Sequence, residues 1–189
     1  TEWWKSSYKL SKQLEDDFPG SARCAAKLRE ETTEFRKNMP VIQSLASKAL
    51  KTRHWEALSE LLGKEINPED ELTLQNLLDL DAAGYIEGIQ EITIAAEKEY
   101  NLERGLKAMI TEWEVVDYEV KPFKDSGTYI VGGIDDIVTL LDDHIVKVQT
   151  MRGSPYIKPI EKEAKDWEYK LKYATGLLDQ WIMCQRTWM

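Results

Sequence analysis

The chain has 189 residues, 42% of them apolar and 31% charged, with a formal net charge of −9. That length carries one domain, or two small subdomains, with a real core, and the composition is that of an ordinary, mostly helical soluble protein. The acidic surplus argues against a nucleic-acid groove, since phosphate binding needs basic residues, and against attraction to an anionic membrane surface.

The two cysteines, Cys24 and Cys184, form neither a CxxC pair nor a ligand cluster. A reducing, intracellular setting fits them better than a secreted disulfide scaffold. No apolar run approaches a membrane span. The opening "TEWWKSSYKL" has no initiator methionine and no signal-peptide core. The closing "DQWIMCQRTWM" stays helical in pattern to its last residue, without a glycine, proline or polar stop. Both ends read as cut edges of something longer.

The first element reads as a helix from Glu2 to Asp17, with Trp4, Tyr8 and Leu14 on its inner face. "DFPGS" breaks it. Ser21 is placed to cap a second helix running towards Asn38. Pro40 starts a third, since proline suits a first helical turn. "HWEALSELLG" makes a fourth, stopped by Gly63. "NPEDE", residues 67–71, carries a start signature: a capping asparagine, a proline, then acids at the positive end of the helix dipole. Helical pattern continues to Trp113. Ile86, Ile89, Thr93, Ala96 and Tyr100 hold one face, and Leu106, Ile110 and Trp113 extend it. Gly84, Gly88 and Gly105 weaken the case for one unbroken helix.

The period then changes. Val116, Tyr118 and Val120 alternate with Asp117, Glu119 and Lys121, which is the period of a strand. "KDSG" turns, and "TYIV" returns as partner. A lone hairpin is marginal, so this one must pack on helices. Residues 134–151 resume a helical face through Ile134, Ile137, Val138, Leu141, Ile145 and Val148. "GSPY" breaks it. In the last helix Ile160, Ala164, Trp167, Leu171, Ala174, Leu178, Trp181 and Gln185 form a seam of alternating fours and threes. Leu177, Trp181, Cys184 and Trp188 widen its apolar face where the chain stops, so that end should be buried against whatever follows it.

Catalytic chemistry is sparse. No GxxxxGK[ST] phosphate loop is present. In "YIVGGIDDI" a phosphate would meet Asp135 and Asp136, so a flexible turn with acids complementing the helix dipole is the preferred reading. In "LLDDHIV" the adjacent Asp142, Asp143 and His144 point in different directions on a helix, and a solvated face is preferred to a metal site. His54 lacks a suggested nucleophile and orienting acid, and helix-start packing is preferred to a base role. The seven tryptophans are read chiefly as core anchors and secondarily as interface residues.

Several ordered strings carry a family likeness. "LKTRHWEALSELLG" (50–63), with Arg53, His54 and Trp55, resembles the "RHW" segment of dynein heavy-chain linkers. "EITIAAEKEYNLERGLKAMITEW" (91–113) is similar to the family's pattern ahead of its hairpin, ending at Trp113. "GSPYIKPIEKEAKDWEYKL" with Trp167, followed by "LLDQWIMCQRTW" with Trp181, Gln185, Arg186 and Trp188, resembles the family's "W…QR.W" helix. "DDIVTLLDDHIVKVQTMRGSP" looks more like the axonemal branch than the cytoplasmic one. Together the matches cover nearly the whole chain.

The resemblance implies a mainly α fold, an elongated array of helical bundles with one β-hairpin inserted at about 115–131. It divides into a helical subdomain 1–113, the hairpin region 114–133 and a helical segment 134–189. It implies a force-transmitting linker segment with no catalytic, cofactor or metal site of its own; ATP and Mg would belong to the AAA+ ring of the parent microtubule motor. Partners would be that ring and the remaining linker, with microtubules and other dynein chains reached through the parent, and no nucleic acid or membrane. The setting would be the cytoskeleton, in the axoneme of a cilium or flagellum. The competing reading is a stand-alone helical adaptor that binds a partner helix along its C-terminal tryptophan face.

Overall fold

The computed structural model describes residues 2–66, 73, 75–76 and 82–189, and of Ala82 and Ala83 only the backbone. The "NPEDE" start signature lies outside the described residues. The fold is mainly α with one inserted β-hairpin. The chain divides into two compact units, Thr1–Glu97 and Lys98–Met189.

The first unit begins with α1 (Glu2–Gln13) and α2 (Pro19–Lys37), which pack as a pair. α1 is shorter than its pattern implies. Trp4 and Leu14 are half-buried and Ser7 is buried, while Tyr8 is largely exposed and stacks on Trp4 at 5.7 Å. The Trp4 indole N–H donates to Thr33 Oγ1 at 3.1 Å, tying the pair together. α2 starts at Pro19 rather than after Ser21, with Phe18 in the cap position and no side-chain cap bond. Proline presets the helical φ and lacks the N–H that a cap would serve, so it displaces the serine.

α3 (Met39–Leu45) and α4 (Thr52–Leu62) follow. Gly63 at φ +65° ends α4 in the left-handed conformation that favours glycine. The chain then folds back: the Ile66 N–H donates to Ser59 Oγ at 2.9 Å, and that hydroxyl donates to Trp55 O at 2.8 Å. A 3-10 turn, Ala82–Tyr85, leads into α5 (Ile86–Trp113). α5 is one unbroken helix despite its glycines, and the division between the units falls within it. Gly88 has a packing reason: a Cβ there would stand 2.8 Å from Leu61 Cδ2. The core of this unit joins Val41, Leu45, Trp55, Leu58, Ile66 and Ile89.

The second unit takes α5 from Lys98 onward, then β1 (Glu119–Phe123), β2 (Thr128–Gly132), α6 (Asp135–Arg152), a 3-10 turn (Lys158–Ile160) and α7 (Glu161–Trp188). The strands are antiparallel, Val120 facing Val131 and Pro122 facing Tyr129. Of the alternating apolar side only Val116 docks, against the core cluster, while Tyr118 and Val120 are exposed. Ile130, Val131 and Gly132 on β2, with Phe123, are the half-buried positions. At the hairpin's exit Gly133 adopts φ +64°, a left-handed conformation that favours glycine.

α6 and α7 pack along their length on the end of α5. Leu106 and Met109 from α5, Ile137, Leu141 and Val148 from α6, and Ala164, Leu171 and Leu178 from α7 are buried in one cluster. Leu141 is at its centre with no exposed surface. Leu141→Ala should therefore destabilise the chain by about 3 kcal/mol. Urea unfolding followed by circular dichroism checks it, with a lowered midpoint and an unchanged slope expected.

Candidate functional site

The sequence-predicted residues separate into two groups. Arg53, His54 and Trp55 lie in the first turn of α4. Arg53 is exposed. His54 is buried, and its Nδ1 accepts the Lys51 backbone N–H at 3.0 Å, which serves the helix start. Trp55 belongs to the core of the first unit. The remaining residues gather in the second unit, around the hairpin and the α5–α6–α7 contact.

Gln185 is the pivot of that region. Its Oε1 accepts the Val131 N–H and its Nε2 donates to the Val131 carbonyl, both at 2.9 Å. The register explains why Val131 is free to do this. Pro122 has no N–H, so the Pro122–Tyr129 pair is of the kind that does not exchange hydrogen bonds. Two residues along, Val120–Val131 is of the same kind. Val131 therefore turns both backbone groups away from β1, and α7 meets them with one carboxamide. One turn further, the Trp188 ring packs on Phe123 at 5.6 Å between centroids, although Trp188 stays 56% exposed.

Trp181 does not sit in the seam as its spacing implies; it is 57% exposed. Leu178 is the last fully buried seam residue, and at 100° per residue Ile182 lies about 40° from it towards the core, whereas Trp181 lies about 60° away on the other side. Ile182 accordingly packs on the core cluster instead. The heptad pattern assumes 3.5 residues per turn, and an unsupercoiled helix drifts out of it. Arg186 is exposed. Tryptophan as a general core anchor also needs correcting: Trp55 is buried, Trp4, Trp113 and Trp167 are half-buried, and Trp3, Trp181 and Trp188 are exposed.

The solvated-face reading of "DDH" holds for Asp142 and Asp143, which are exposed, and fails for His144, which has no exposed surface. Ile137, Leu141, His144 and Val148 are spaced by four, three and four residues, so the histidine occupies a core position of α6. The Trp113 indole N–H donates to His144 Nδ1 at 2.9 Å, fastening the end of α5 to α6. Burial pushes the imidazole below its ordinary 6.5, against an upward pull from Glu112, whose Oε2 lies 3.3 Å from Nε2. Among the described residues no three His, Cys, Asp or Glu side chains are grouped to hold a metal ion. Asp135 and Asp136 are exposed in the first turn of α6, as the helix dipole favours.

Glu168 escaped the sequence reading. It is 5% exposed, between α6 and α7. Arg152 Nη1 donates to its Oε2, while Lys172 (2.6 Å) and Gln149 (3.4 Å) reach its Oε1. Lys172 first, then Arg152, hold its carboxyl down at about 2 against the opposing effect of burial. The visible signal was the Glu168–Lys172 pair four residues apart. Its burial was not visible, because Glu168 lies one residue beyond the expected seam.

Comparison with known proteins places the chain as a whole. The family described as "Dynein heavy chain, N-terminal region 2" matches residues 1–189. The chain belongs to that family. It is 40% identical to "Dynein axonemal heavy chain 3" from Homo sapiens over 98% of its own length and 4% of the relative's. It is 38% identical to "Dynein axonemal heavy chain 1" from Rattus norvegicus over 100% of its length and 4% of the relative's. To "Dynein axonemal heavy chain 12" from Rattus norvegicus it is 37% identical over 89% of its length and 5% of the relative's. The chain thus spans about one twenty-fifth of the length of the first two. Among the described residues no helix is long and apolar enough to cross a membrane.

Two outcomes are expected. Gln185→Leu should leave Val131 unpaired and cost about 1–2 kcal/mol, with a changed Trp188 emission as the hairpin loosens; unchanged emission and unfolding midpoint would remove Gln185 from this role. Acid should act in two stages of the same sign. Both groups are depressed in the fold, so each contributes fully above its unfolded value: the His144 part is lost as pH falls below 6.5, and the Glu168 part as pH falls from about 4.5 to about 2. Glu168→Gln should flatten the second stage in chemical unfolding measured across that range.

Proposed function

We propose that this chain is a force-transmitting segment of the linker of an axonemal dynein heavy chain. The observation that carries the reading is the family match across the whole chain, with axonemal heavy chains 1, 3 and 12 at 37–40% identity. ATP hydrolysis, with its Mg, and microtubule contact are assigned to other parts of the parent motor, and this segment has no catalytic role. Its partners in that role are the AAA+ ring and the remaining linker of the same polypeptide, and its setting is the axoneme.

The packing supports the reading physically. A segment that passes on a displacement must not absorb it, and the second unit combines a close-packed helical core with polar cross-ties at Gln185, Glu168 and His144. Interiors packed at crystal-like density deform little under strain. Bending in such proteins belongs at boundaries between packed bodies.

The test uses the parent heavy chain. Gln185→Leu, combined with Phe123→Ala to release Trp188, should lower microtubule gliding velocity several-fold while microtubule-stimulated ATPase changes less than twofold. Equal losses of both would place the defect in the motor's chemistry or folding, and unchanged gliding would remove this segment from the path of force.

A further inference from the structure

The last turn of α5 meets the His144 ring at both nitrogens, and it does so with consecutive residues. The Trp113 indole N–H donates to Nδ1 at 2.9 Å, and Glu112 Oε2 stands 3.3 Å from Nε2. The ring has no exposed surface, whereas Glu112 is exposed. An indole N–H only donates, so the Trp113 bond requires a bare Nδ1 and places the proton of the neutral ring on Nε2.

A further proton has one place to go. It enters on Nδ1, and the resulting cation donates from both nitrogens, so Nδ1–H points at the Trp113 N–H. Two donors facing each other cannot both be satisfied there, and a buried donor without an acceptor is costly. On the other side of the ring the new charge meets a carboxylate, and a charge-assisted bond is the stronger kind. The charged groups acting on the ring are Glu112 of α5 and Asp143 of α6, which favour the cation, and Lys147 of α6, which opposes it; the hairpin and α7 contribute none of these. Burial is the largest effect and also opposes the cation, so the change falls below pH 6.5.

What Trp113 holds is the exit from α5. Residues 114–118 join that helix to β1, and of their side chains only Val116 packs on the core, while Val115 is 80% exposed. Their backbone bonds are local: the Glu114 N–H donates to Thr111 O at 3.1 Å, and the Val116 N–H to Trp113 O at 3.4 Å. The hairpin is held elsewhere, by Gln185 and Trp188, and the apolar α5–α6–α7 cluster depends on no charge state. We propose that His144 is an acid-operated latch: uptake of one proton transfers its ring from Trp113 to Glu112 and frees the exit of α5, residues 113–118, while the helical core stays packed. The proposal does not rest on the linker reading.

The test follows the 15N-labelled 189-residue chain by NMR from about pH 8 to about pH 5. The Trp113 indole N–H and the His144 ring nitrogens should shift together, with one midpoint below 6.5. Exchange protection of the Glu114 and Val116 amides should fall about tenfold across that midpoint, and the far-UV circular dichroism should not change. Glu112→Gln should lower the midpoint by about half a pH unit, because the cation loses its carboxylate, and Trp113→Phe should raise it by about as much, because the neutral ring loses its donor. Glu112 is exposed, so its variant leaves the core untouched. A Trp113 N–H that stays in place while His144 takes up its proton, protonation seen only with loss of the helical signal, a ring still neutral at about pH 5, or a midpoint that either variant leaves unmoved would overturn the proposal.

Discussion

A two-stranded ribbon buries too little to hold itself in water, and in this chain its fixed point is one carboxamide. Gln185 completes the outward edge of β2 as a third strand would, using two bonds to a single residue. The choice of Val131 follows from Pro122 on the other strand, whose missing N–H sets which pairs face outward. The Phe123–Trp188 contact then fixes the ribbon's turn end against the same helix. The entry to α6 inherits this placement, because Gly132 and Gly133 leave the ribbon directly into its first turn.

The rest of the second unit repeats the device at two other levels. The buried side chains of His144 and Glu168 each join two elements that apolar packing alone would leave free to slide. His144 takes the end of α5 through Trp113, and Glu168 takes α6 through Arg152 and Gln149 while its own helix supplies Lys172. Apolar contact is tolerant of small shifts, whereas a hydrogen bond weakens steeply with misalignment. The apolar cluster therefore supplies most of the stability, and these groups select one register from several of similar burial.

How legible this was depended on the range of the interaction involved. Helix existence, the hairpin and the stop at Gly63 were visible because they rest on local period and turn chemistry. α5 was legible except for its continuity: Gly88 looked like a weakness, and only the approach of Leu61 makes it a contact. The start of α2 went to Pro19 rather than to Ser21's hydroxyl because backbone preorganisation outweighed a cap. The site divides in the same way. Gln185 and Trp188 were picked out by resemblance, yet nothing local links residue 185 to residue 131. His144 was discounted because two aspartates beside it suggested solvent, although its spacing from Leu141 and Val148 already marked the core.

These attachments differ in how they would meet a load, and that difference bears on the lever reading. Pulling the hairpin away from α7 loads both Gln185 bonds at once, since they share one side chain and one residue; they yield together rather than in sequence. The Phe123–Trp188 contact has no such directionality, and a ring can slide while keeping most of its dispersion energy. Glu168 joins α6 to α7 through two different oxygens and two donors, Arg152 and Gln149, while Lys172 of its own helix holds the charge, so loss of one donor leaves a paired charge behind. On that reasoning the hairpin–α7 joint is the all-or-none element of the unit and the α6–α7 joint is the graded one. A segment that carried force through the second and released a contact through the first would combine stiffness with a discrete point of yield.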